Sequence, residues 1–336
     1  MMRIGIVGVG AMGSTHAAAW AELGVPIAGF VATTPEHAQP LAERYGASVY
    51  PDLASLLSAC DVVDICTPTH LHHPMVVQAA RAGKDIICEK PLARTLDEGR
   101  DMIRTCREAG VRLLVGHVVR FFPEYVRARE AVKAGQVGQV AVVRLQRDVF
   151  RPRKAQDNWF LDVEKSGGMI LDLMIHDFDY ARWVAGEVET VFCQHIGDPS
   201  ISPGDHALAI LRHRHGAITH VEGSWAYPPP TFRTRFEIAG ADGLLIHDTA
   251  TTAPLAVFRH QAAGDEAGEV PVPASPLLES PYTTQLKAFY RHLMYGDPIP
   301  VTAADALAAL QIALAAITST QTGAPVSLTP LPEVEA

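Results

Sequence analysis

Short apolar runs alternate with longer amphipathic stretches through the first 120 residues of the chain. The runs are rich in β-branched residues, and they include RIGIVGVG, PIAGFVAT, DVVDICTP, KDIICEKP and RLLVGHVVR. The stretches between them, such as LDEGRDMIRTCREAG, have the length of helices. Strands that are apolar throughout and separated by helices indicate a parallel sheet covered on both faces. Because such crossovers are right-handed, the pattern predicts a doubly wound α/β architecture.

A different pattern follows residue 120, where strand-like runs are joined by short turns. They include AVVRLQRDVF, TVFCQHIG, HALAILRHRHG, AITHVEGSWAY, RTRFEIAGADG and LLIHDT, and a hairpin is predicted around Gly216. Successive strands with short connections indicate an antiparallel sheet. Two helices are predicted near the end, YTTQLKAFYRHLMYG and TAADALAALQIALAAITSTQTG, the second capped by Thr302. The proline-rich stretches 228–230 and 271–281 are predicted to be loops.

These patterns divide the chain into two predicted domains. Residues 1–120 carry the parallel sheet. Residues 121–336 form a second α/β domain with a large open, mainly antiparallel sheet, and the two closing helices are candidates to pack back on the first domain. A chain of 336 residues is also long for a single hydrophobic core, which supports the division.

Composition narrows the classes of function. Apolar residues make up 48% of the chain and charged residues 19%, as in an ordinary globular protein. The net charge of −9 argues against nucleic acid as the main partner. Five dispersed cysteines without a CxxC motif predict reduced thiols and a cytoplasmic location. We find no run of the roughly 20 apolar residues that a bilayer requires, so no membrane span is expected.

A glycine motif lies directly after the first predicted strand. GVGAMG places Gly8, Gly10 and Gly13 at G-x-G-x-x-G spacing, where a helix begins. In a strand–helix–strand unit these glycines allow a tight turn, the approach of a pyrophosphate, and close packing of helix on strand. The phosphates would lie at the helix N-terminus, where N–H groups without partners favour anions. The motif therefore predicts a Rossmann dinucleotide site, which would include Ala11 and Met12.

The second strand ends without the acid that usually binds the ribose 2′-hydroxyl of NAD. Ala32, Thr33 and Thr34 occupy that place, followed by His37. Without a carboxylate there is no repulsion toward a 2′-phosphate, and two hydroxyls with a histidine are able to bind one. No arginine is present there to complete such a site. The sequence favours NADP(H) and leaves NAD(H) open.

The segment GGMILDLMIHDFDYARW, residues 167–183, combines an apolar helix pattern with charged residues. On a helix, Asp172 and His176 would stand side by side, and the same stripe would continue to Asp179 and Trp183. Buried charges are normally paired or placed at a site. Two interpretations follow: a structural Asp–His pair, or a general base with its companion.

Four segments together give the chain a resemblance to the Gfo/Idh/MocA oxidoreductases, the relatives of glucose–fructose oxidoreductase and inositol dehydrogenase. They are the glycine motif, TPTHLHHPMVVQAARAGKDIICEKPLA, RFFPEY and GGMILDLMIHDFDYARW. The resemblance covers nearly the whole length, including the closing helix pair and GAPVSL. EKP beside a glycine motif is typical of that family, and HDFDYARW is most similar to its inositol dehydrogenase branch. The resemblance implies a Rossmann domain followed by an α/β domain whose open sheet usually forms a subunit contact.

The resemblance also implies functional residues. By match to the family's motifs, Lys90 of EKP, Asp172 and His176 would form the catalytic trio. The predicted cofactor contacts beyond the first two strands are Thr67, Pro68, His72, Glu89 and Lys90. The predicted substrate contacts are Lys90, His117, Arg120, Trp159, Asp172 and His176. For Trp159 a packing role is equally open. The cluster His70, His72 and His73 has no carboxylate partner in the local sequence, so no metal site is predicted.

The chemistry of the trio fits oxidation of an alcohol. Neutral His176 is a natural acceptor for the hydroxyl proton near pH 7, and Lys90 can donate to the reacting oxygen. Asp172 would orient the imidazole or hold an adjacent hydroxyl. The resemblance implies an NAD(P)-dependent oxidoreductase of a sugar or cyclic polyol, similar to inositol dehydrogenase. Two alternatives stay open: a non-catalytic dinucleotide-binding regulator on the same fold, and a reductase of trans-dihydrodiols or other non-sugar carbonyls.

Assembly is predicted from the second domain. One layer of helices cannot cover both faces of a sheet that the sequence predicts to have six strands. An uncovered apolar face of that size usually marks an interface. We therefore expect a homodimer or homotetramer that forms through this sheet.

Overall fold

The computed structural model describes residues 2–152, 158–197, 204–228, 230–250, 256–259 and 279–331. The proline-rich stretch 271–281, predicted to be a loop, lies mostly outside the described residues. Of the stretch 228–230, residues 228 and 230 are described, and they connect two strands.

The first sheet is parallel, as the alternating pattern predicted, and it has six strands where five were named from the sequence. Its strands are β1 (Ile4–Val7), β2 (Ile27–Val31), β3 (Ser48–Val49), β4 (Val62–Ile65), β5 (Asp85–Glu89) and β6 (Leu113–Gly116). The helices between them are α1 (Ala11–Glu22), α2 (Pro35–Tyr45), α3 (Leu53–Leu57), α4 (His72–Arg81) and α5 (Leu96–Ala109). The strand order is β3-β2-β1-β4-β5-β6. Because this order reverses between β1 and β4, their carboxyl ends open the crevice in which doubly wound sheets bind ligands.

The second sheet has eight strands, two more than predicted. They are β7 (Val140–Phe150), β8 (Val188–Ile196), β9 (His206–His213), β10 (Ile218–Tyr227), β11 (Phe232–Gly240), β12 (Gly243–Asp248), β13 (Ala256–Arg259) and β14 (Val326–Ser327). Their order is β13-β12-β11-β7-β10-β9-β8-β14, with β7 and β10 parallel and the other neighbours antiparallel. The mainly antiparallel sheet and the hairpin around Gly216, whose φ of +98° suits a glycine, are confirmed. The two additional strands lie at the edges, where β14 has two residues.

The remaining helices cover one face of the second sheet or return to the first. They are α6 (Pro123–Lys133), α7 (Val163–Ser166), α8 (Gly168–Asp172), α9 (Ile175–Ala185), α10 (Pro281–Tyr295) and α11 (Ala303–Thr322). Helix α10 packs on α1 and buries Leu286 and Phe289 beside Trp20 in the core of the first sheet. Thr302 caps α11 by accepting a hydrogen bond from the Asp305 N–H, as predicted. The division of the chain near residue 120 stays a prediction.

The prediction of one regular helix across Asp172 and His176 was wrong. Helix α8 ends at Asp172 and α9 begins at Ile175. Between them the Met174 N–H donates to the carbonyl of Met169, five residues back, which widens the turn. Gly223 of β10 lies directly beneath, and a side chain there would collide with Met174. The widened turn therefore packs directly against the sheet. As a result, Asp172 and His176 are not separated by one regular helical turn.

The expectation that no segment could cross a bilayer also needs correction. Helix α11 has 20 residues and a mean hydropathy of 1.4, so its length and composition alone would allow a span. The helix is a core element, because Leu307, Leu310 and Ile312 are buried between the two sheets' helices and β8. Its apolar character is explained by this burial. The five cysteines are free thiols, as predicted.

Candidate active site

The glycine loop has the close contacts that a dinucleotide site requires. Gly8 has φ +91°, and a Cβ there would lie 2.6 Å from the carbonyl oxygen of Cys66. A Cβ on Gly13 would collide with the carbonyl of Gly8, whereas a Cβ on Gly10 would meet no atom within 4 Å. The open side of Gly10, with exposed Ala11 and half-buried Met12 at the start of α1, leaves space for a pyrophosphate on free N–H groups. These residues fit a dinucleotide.

The end of β2 is open to solvent. Ala32 is half-buried, and Thr33, Thr34 and His37 are exposed. Thr34 is the N-cap residue of α2, but its hydroxyl makes no capping hydrogen bond. Glu36, which the sequence analysis did not consider, lies exposed in the first turn of α2. The hydroxyls predicted to meet a 2′-phosphate are thus available, with one carboxylate nearby along the chain.

The structure gives His72 a different place from the one predicted. Thr67 and Pro68 follow β4 and are half-buried at the carboxyl edge of the sheet. His72 is buried, with Nε2 2.9 Å from the Thr67 carbonyl oxygen and Nδ1 2.8 Å from that of Pro91. Both ring nitrogens are therefore occupied by backbone. His72 therefore joins the loops after β4 and β5.

The neighbouring His73 has the carboxylate partner that the local sequence lacks. Its Nε2 lies 2.8 Å from Oδ2 of Asp101 on α5. This contact joins α4 and α5 at the surface, where both side chains are about one-third exposed, at 30% and 32%. The pair is explained by the packing of these two helices.

Lys90 and Asp172 meet across the two domains. Lys90 follows the last residue of β5, and its Nζ donates to the carbonyl oxygen of Asp172 at 2.7 Å and to Oδ1 at 3.2 Å. The Lys90 side chain is 15% exposed and that of Asp172 is 11% exposed, so the pair is largely buried but still reached by solvent. Asp172 thus binds the lysine ammonium and not the imidazole that the sequence analysis expected it to orient. An ammonium fixed in this way can still donate its third hydrogen to a ligand oxygen.

His176 lies in a setting that keeps its imidazole neutral. Burial lowers the pKa of His176 well below its ordinary range, and the nearby cations Lys90 and Arg147 and the imidazole of His117 act in the same direction. Its Nδ1 is buried and has no hydrogen-bond partner among the residues that the structure describes. A neutral imidazole with an unoccupied nitrogen is able to accept a proton near pH 7.

A buried ion pair near His176, formed by Arg147 and Asp177, was not predicted from the sequence. Arg147 of β7 donates through Nε to Asp177 Oδ2 at 2.7 Å and through Nη2 to Oδ1 at 3.0 Å. Both are buried. In AVVRLQRDVF, alternation places Arg147 on the same face as Val143 and Leu145. A charge on that apolar face was the available signal.

Arg120 is not placed as a substrate contact. Its Nε and Nη2 donate to Asp179 at 2.8 and 2.6 Å, and Nη1 donates to the carbonyl of Pro300 at 2.5 Å and to Asp305 at 3.3 Å. The side chain is 2% exposed. The helical stripe had placed Asp179 beside Asp172 and His176. In the structure both of its carboxylate oxygens are bonded to Arg120. Sequence spacing missed the pair because the partners are 59 residues apart.

Two further residues, His117 and Trp159, were predicted to contact substrate, and the structure shows only the groups that each of them packs against. His117 follows β6, is fully buried, and has its Nδ1 3.8 Å from Asp179 Oδ2. Burial lowers the pKa of His117, so the ring is neutral behind the cleft. Trp159 is half-buried and stacks on Phe160 with ring centroids 4.0 Å apart. Its contact with substrate stays a prediction.

Comparison with known proteins matches both halves of the chain. Residues 2–117 match the family described as "Oxidoreductase family, NAD-binding Rossmann fold". Residues 125–246 match the family described as "GFO/IDH/MocA C-terminal domain".

Similar proteins include dehydrogenases of cyclic polyols. The chain is 30% identical over 327 residues to the myo-inositol 2-dehydrogenase of Thermotoga maritima, covering 94% of this chain and 95% of that protein. It is 30% identical over 279 residues to the scyllo-inositol 2-dehydrogenase (NAD(+)) of Bacillus subtilis, covering 80% and 78%.

Solved structures share the fold over almost the full length. A levoglucosan dehydrogenase in complex with NADH and L-sorbose has a TM-score of 0.87 at 23% identity, covering 98% of this chain and 99% of that one. A probable dehydrogenase from Thermotoga maritima has a TM-score of 0.81 at 29% identity, covering 97% and 98%. With both domains matched and a relative 30% identical along the chain, this protein belongs to the Gfo/Idh/MocA family of oxidoreductases.

Proposed function

We propose that the protein transfers a hydride between a nicotinamide cofactor and a secondary alcohol or ketone of a sugar or cyclic polyol, as in the inositol dehydrogenases it resembles. The observation that carries the proposal is the Lys90 ammonium held on Asp172 at the carboxyl edge of the first sheet, with neutral His176 close enough for Lys90 to lower its pKa. The names of similar proteins support the substrate class.

The chain's own residues supply the proton chemistry. The nicotinamide cofactor accepts or donates the hydride when bound on the glycine loop. His176 accepts the hydroxyl proton in the oxidation direction, because its imidazole is neutral and the residue is partly exposed. Lys90 donates to the same oxygen and stabilises its developing negative charge. Asp172 holds the ammonium through both a side-chain and a backbone oxygen, which fixes the direction of the donor.

A substrate panel tests this function. Cyclic polyols, aldoses and their ketones, together with trans-dihydrodiols and non-sugar carbonyls, are offered with each nicotinamide cofactor, and the absorbance of the reduced nicotinamide is followed. Turnover is expected with at least one polyol or sugar. If the protein turns over only trans-dihydrodiols or non-sugar carbonyls, its substrate class is one of these and not sugars or polyols. Cofactor binding without turnover of any compound, in a folded protein, would favour a regulator.

We infer that the cofactor site accepts NADP(H), because the position after β2 has no carboxylate. Ala32→Asp is expected to weaken NADP(H) binding at least tenfold relative to NAD(H), since like charges placed together cost up to several kcal/mol. Titrating both reduced cofactors by nicotinamide fluorescence measures the ratio. Glu36→Gln is the matched control for the carboxylate on α2, and its ratio should stay near that of the unmodified protein. Clearly tighter NAD(H) than NADP(H) in the unmodified protein would reverse the assignment.

We also propose a homodimer or homotetramer formed through the second sheet. On the face away from the helices, Leu208, Ile210 and Ile218 are 48%, 41% and 41% exposed on β9 and β10. Large apolar side chains clustered on an open sheet favour self-association. Light scattering at micromolar concentration should give at least twice the chain mass of 36.2 kDa. Ile210→Glu should shift the mass toward one chain, while Val163→Glu, a 60% exposed apolar residue on α7, should not. A monomer mass for the unmodified protein would exclude this assembly.

A further inference from the structure

A buried cluster of charged side chains lies beneath the glycine loop, with His16 at its centre. His16 follows Gly13 on α1, Asp64 belongs to β4, and Glu89 is the last residue of β5. Nδ1 of His16 lies 3.1 and 3.0 Å from the two carboxylate oxygens of Asp64, and Nε2 lies 3.2 Å from Oε1 of Glu89. Trp20 donates to Asp64 Oδ2 at 2.8 Å. His16 and Asp64 are fully buried and Glu89 is 6% exposed.

The surroundings of His16 favour its charged form. Burial opposes the charge, but the Asp64 carboxylate outweighs it and raises the pKa of His16 well above the ordinary range. The other ionisable groups that face the ring are Cys66, Glu89 and Tyr282 of α10, whose ring centroid lies 6.5 Å away. An imidazolium donates from Nδ1 to Asp64 and places its second N–H next to Glu89, where the 3.2 Å contact is an ion pair without hydrogen-bond geometry.

A metal ion is a weaker explanation of the same atoms. Ligand atoms of His16, Asp64 and Cys66 lie within 4.8 Å of one another. A thiolate would be needed as ligand, whereas burial and Asp64 raise the pKa of Cys66 to about 12. Asp64 is already bonded by Trp20 and His16. A hydrogen-bonded ion cluster therefore explains these residues without a metal.

Glu89 connects this cluster to Lys90. Its Oε2 accepts a hydrogen bond from the backbone N–H of Lys90 at 3.2 Å. Its Oε1 rests against Gly116 of β6, where an added Cβ would lie 2.6 Å from that oxygen. The Oε1 atom has no hydrogen-bond partner within the described part of the chain, so the ion pair with His16 is what compensates its charge. Contacts therefore run without a break from Asp64 through His16 and Glu89 to Lys90.

We propose that His16 is a positioning residue: bonded to Asp64 on one side and paired with Glu89 on the other, it fixes Glu89 and, through Glu89, the turn that presents Lys90. The proposal rests on the proposed function, because it needs Lys90 to act in the reaction. Without the imidazolium, two carboxylates would be buried in one cluster with no positive charge between them, which is unfavourable. Glu89 would then lose its fixed direction, and the Lys90 ammonium would shift relative to Asp172.

The protonation state is tested directly by NMR of the histidine ring nitrogens. In the unmodified protein His16 is expected to stay protonated as the pH rises past about 6.5, the ordinary histidine pKa, because Asp64 raises its pKa. His16→Gln identifies its signals by their loss. Asp64→Asn keeps an oxygen that accepts from Trp20 but removes the charge, so the His16 pKa should fall toward the ordinary value. Titration of His16 near pH 6.5 in the unmodified protein would overturn the proposal.

Kinetics test the positioning role. His16→Gln is expected to lower kcat by roughly tenfold to a hundredfold, the scale of a misplaced reacting group. Its affinity for reduced cofactor, measured by fluorescence, should change less than threefold. The imidazolium is present at low pH and is lost as pH rises through its raised pKa, so it sets an alkaline limit on kcat. Asp64→Asn should move that limit to lower pH, because the carboxylate that raises the pKa of His16 is removed.

His213 provides a matched control. It is fully buried, and its Nδ1 and Nε2 lie 2.7 Å from the Gly186 carbonyl and 2.8 Å from Thr219 Oγ1, in the second sheet. His213→Gln should lower the melting temperature and leave kcat and its pH dependence unchanged. Equal kcat in His16→Gln and His213→Gln would overturn the positioning role. Normal turnover in Lys90→Ala would instead contradict the proposed function, while the NMR result would still report on the His16 cluster.

Discussion

Replacing His176 with alanine is expected to lower turnover by about two to four orders of magnitude, because the hydroxyl proton then has no positioned acceptor. Lys90→Ala should cause a loss of similar size, since the reacting oxygen loses a fixed cation in a cleft. Steady-state kinetics on the substrate identified in the panel measures both. Binding of the reduced cofactor to His176→Ala should barely change, because the glycine loop is formed by a different element.

Asp172→Asn separates the two roles that an aspartate could have here. The backbone carbonyl of Asp172 accepts from Lys90 at 2.7 Å, and this contact survives the substitution. Turnover should therefore fall less than in Lys90→Ala. His73→Ala is the control, because His73 is bonded to Asp101 on the surface of the first domain and should keep full turnover. A folded His176→Ala protein with near-normal turnover would end this mechanism. A lower melting temperature with normal activity per folded molecule would indicate a structural pair.

The pH dependence of kcat/KM gives a second view of the same base. His176 acts in its neutral form, and its pKa lies well below the ordinary range because of burial and of the cations Lys90 and Arg147. The acid limb of the profile should therefore lie clearly below pH 6.5. Removing the Lys90 charge should move the limb toward higher pH in whatever residual activity remains. An acid limb at or above pH 6.5 in the unmodified enzyme would contradict the assignment of the base.

Local sequence patterns predicted both sheets because each strand carries its own signal. Uniformly apolar runs marked the parallel strands, and alternation marked most of the second sheet. The glycine motif was also predictable, because its close contacts are made within one strand–helix unit and the neighbouring β4. The edge strand β3 was missed because a two-residue strand has no periodicity to detect, and the tail that forms β14 was left open between strand and coil.

The site was harder to predict because its partners come from distant segments. The spacing of the residues suggested that Asp172 orients the imidazole of His176. The turn at Met174 is widened where the chain meets Gly223, and Asp172 instead binds Lys90, which is 82 residues away in the sequence. His72 and Arg120 were assigned to ligands, yet each is satisfied by groups that local sequence cannot identify. A polar residue type in a family motif indicates that a position matters. The partner that it contacts depends on the tertiary structure.

Breaking the Arg120–Asp179 pair is expected to cost about 3–5 kcal/mol of unfolding free energy, because the remaining charge would be buried without a partner. Both side chains are almost fully buried, at 2% and 1% exposure, and the two N–H···O contacts are parallel. Arg120 follows β6, Asp179 is on α9, and the Pro300 carbonyl precedes α11, so the pair joins three elements. Denaturant unfolding of Asp179→Asn measures the loss, and the melting temperature should fall with it.

Two comparisons decide whether the burial of the charge is the cause. Arg120→Met with Asp179→Leu should recover much of the lost stability, since no isolated charge remains. Asp97→Asn, which breaks an exposed pair with Arg100 on α5, should leave the melting temperature almost unchanged.

Burial opposes ionisation of Asp305, but Arg120 outweighs it and lowers the pKa of Asp305 to about 2. That contribution is present above about pH 4 and is lost as pH falls toward 2. In Arg120→Met this pH-dependent contribution should become smaller, because the pKa of Asp305 moves back toward its ordinary value, and an unchanged acid unfolding curve would show that Arg120 does not hold this network together.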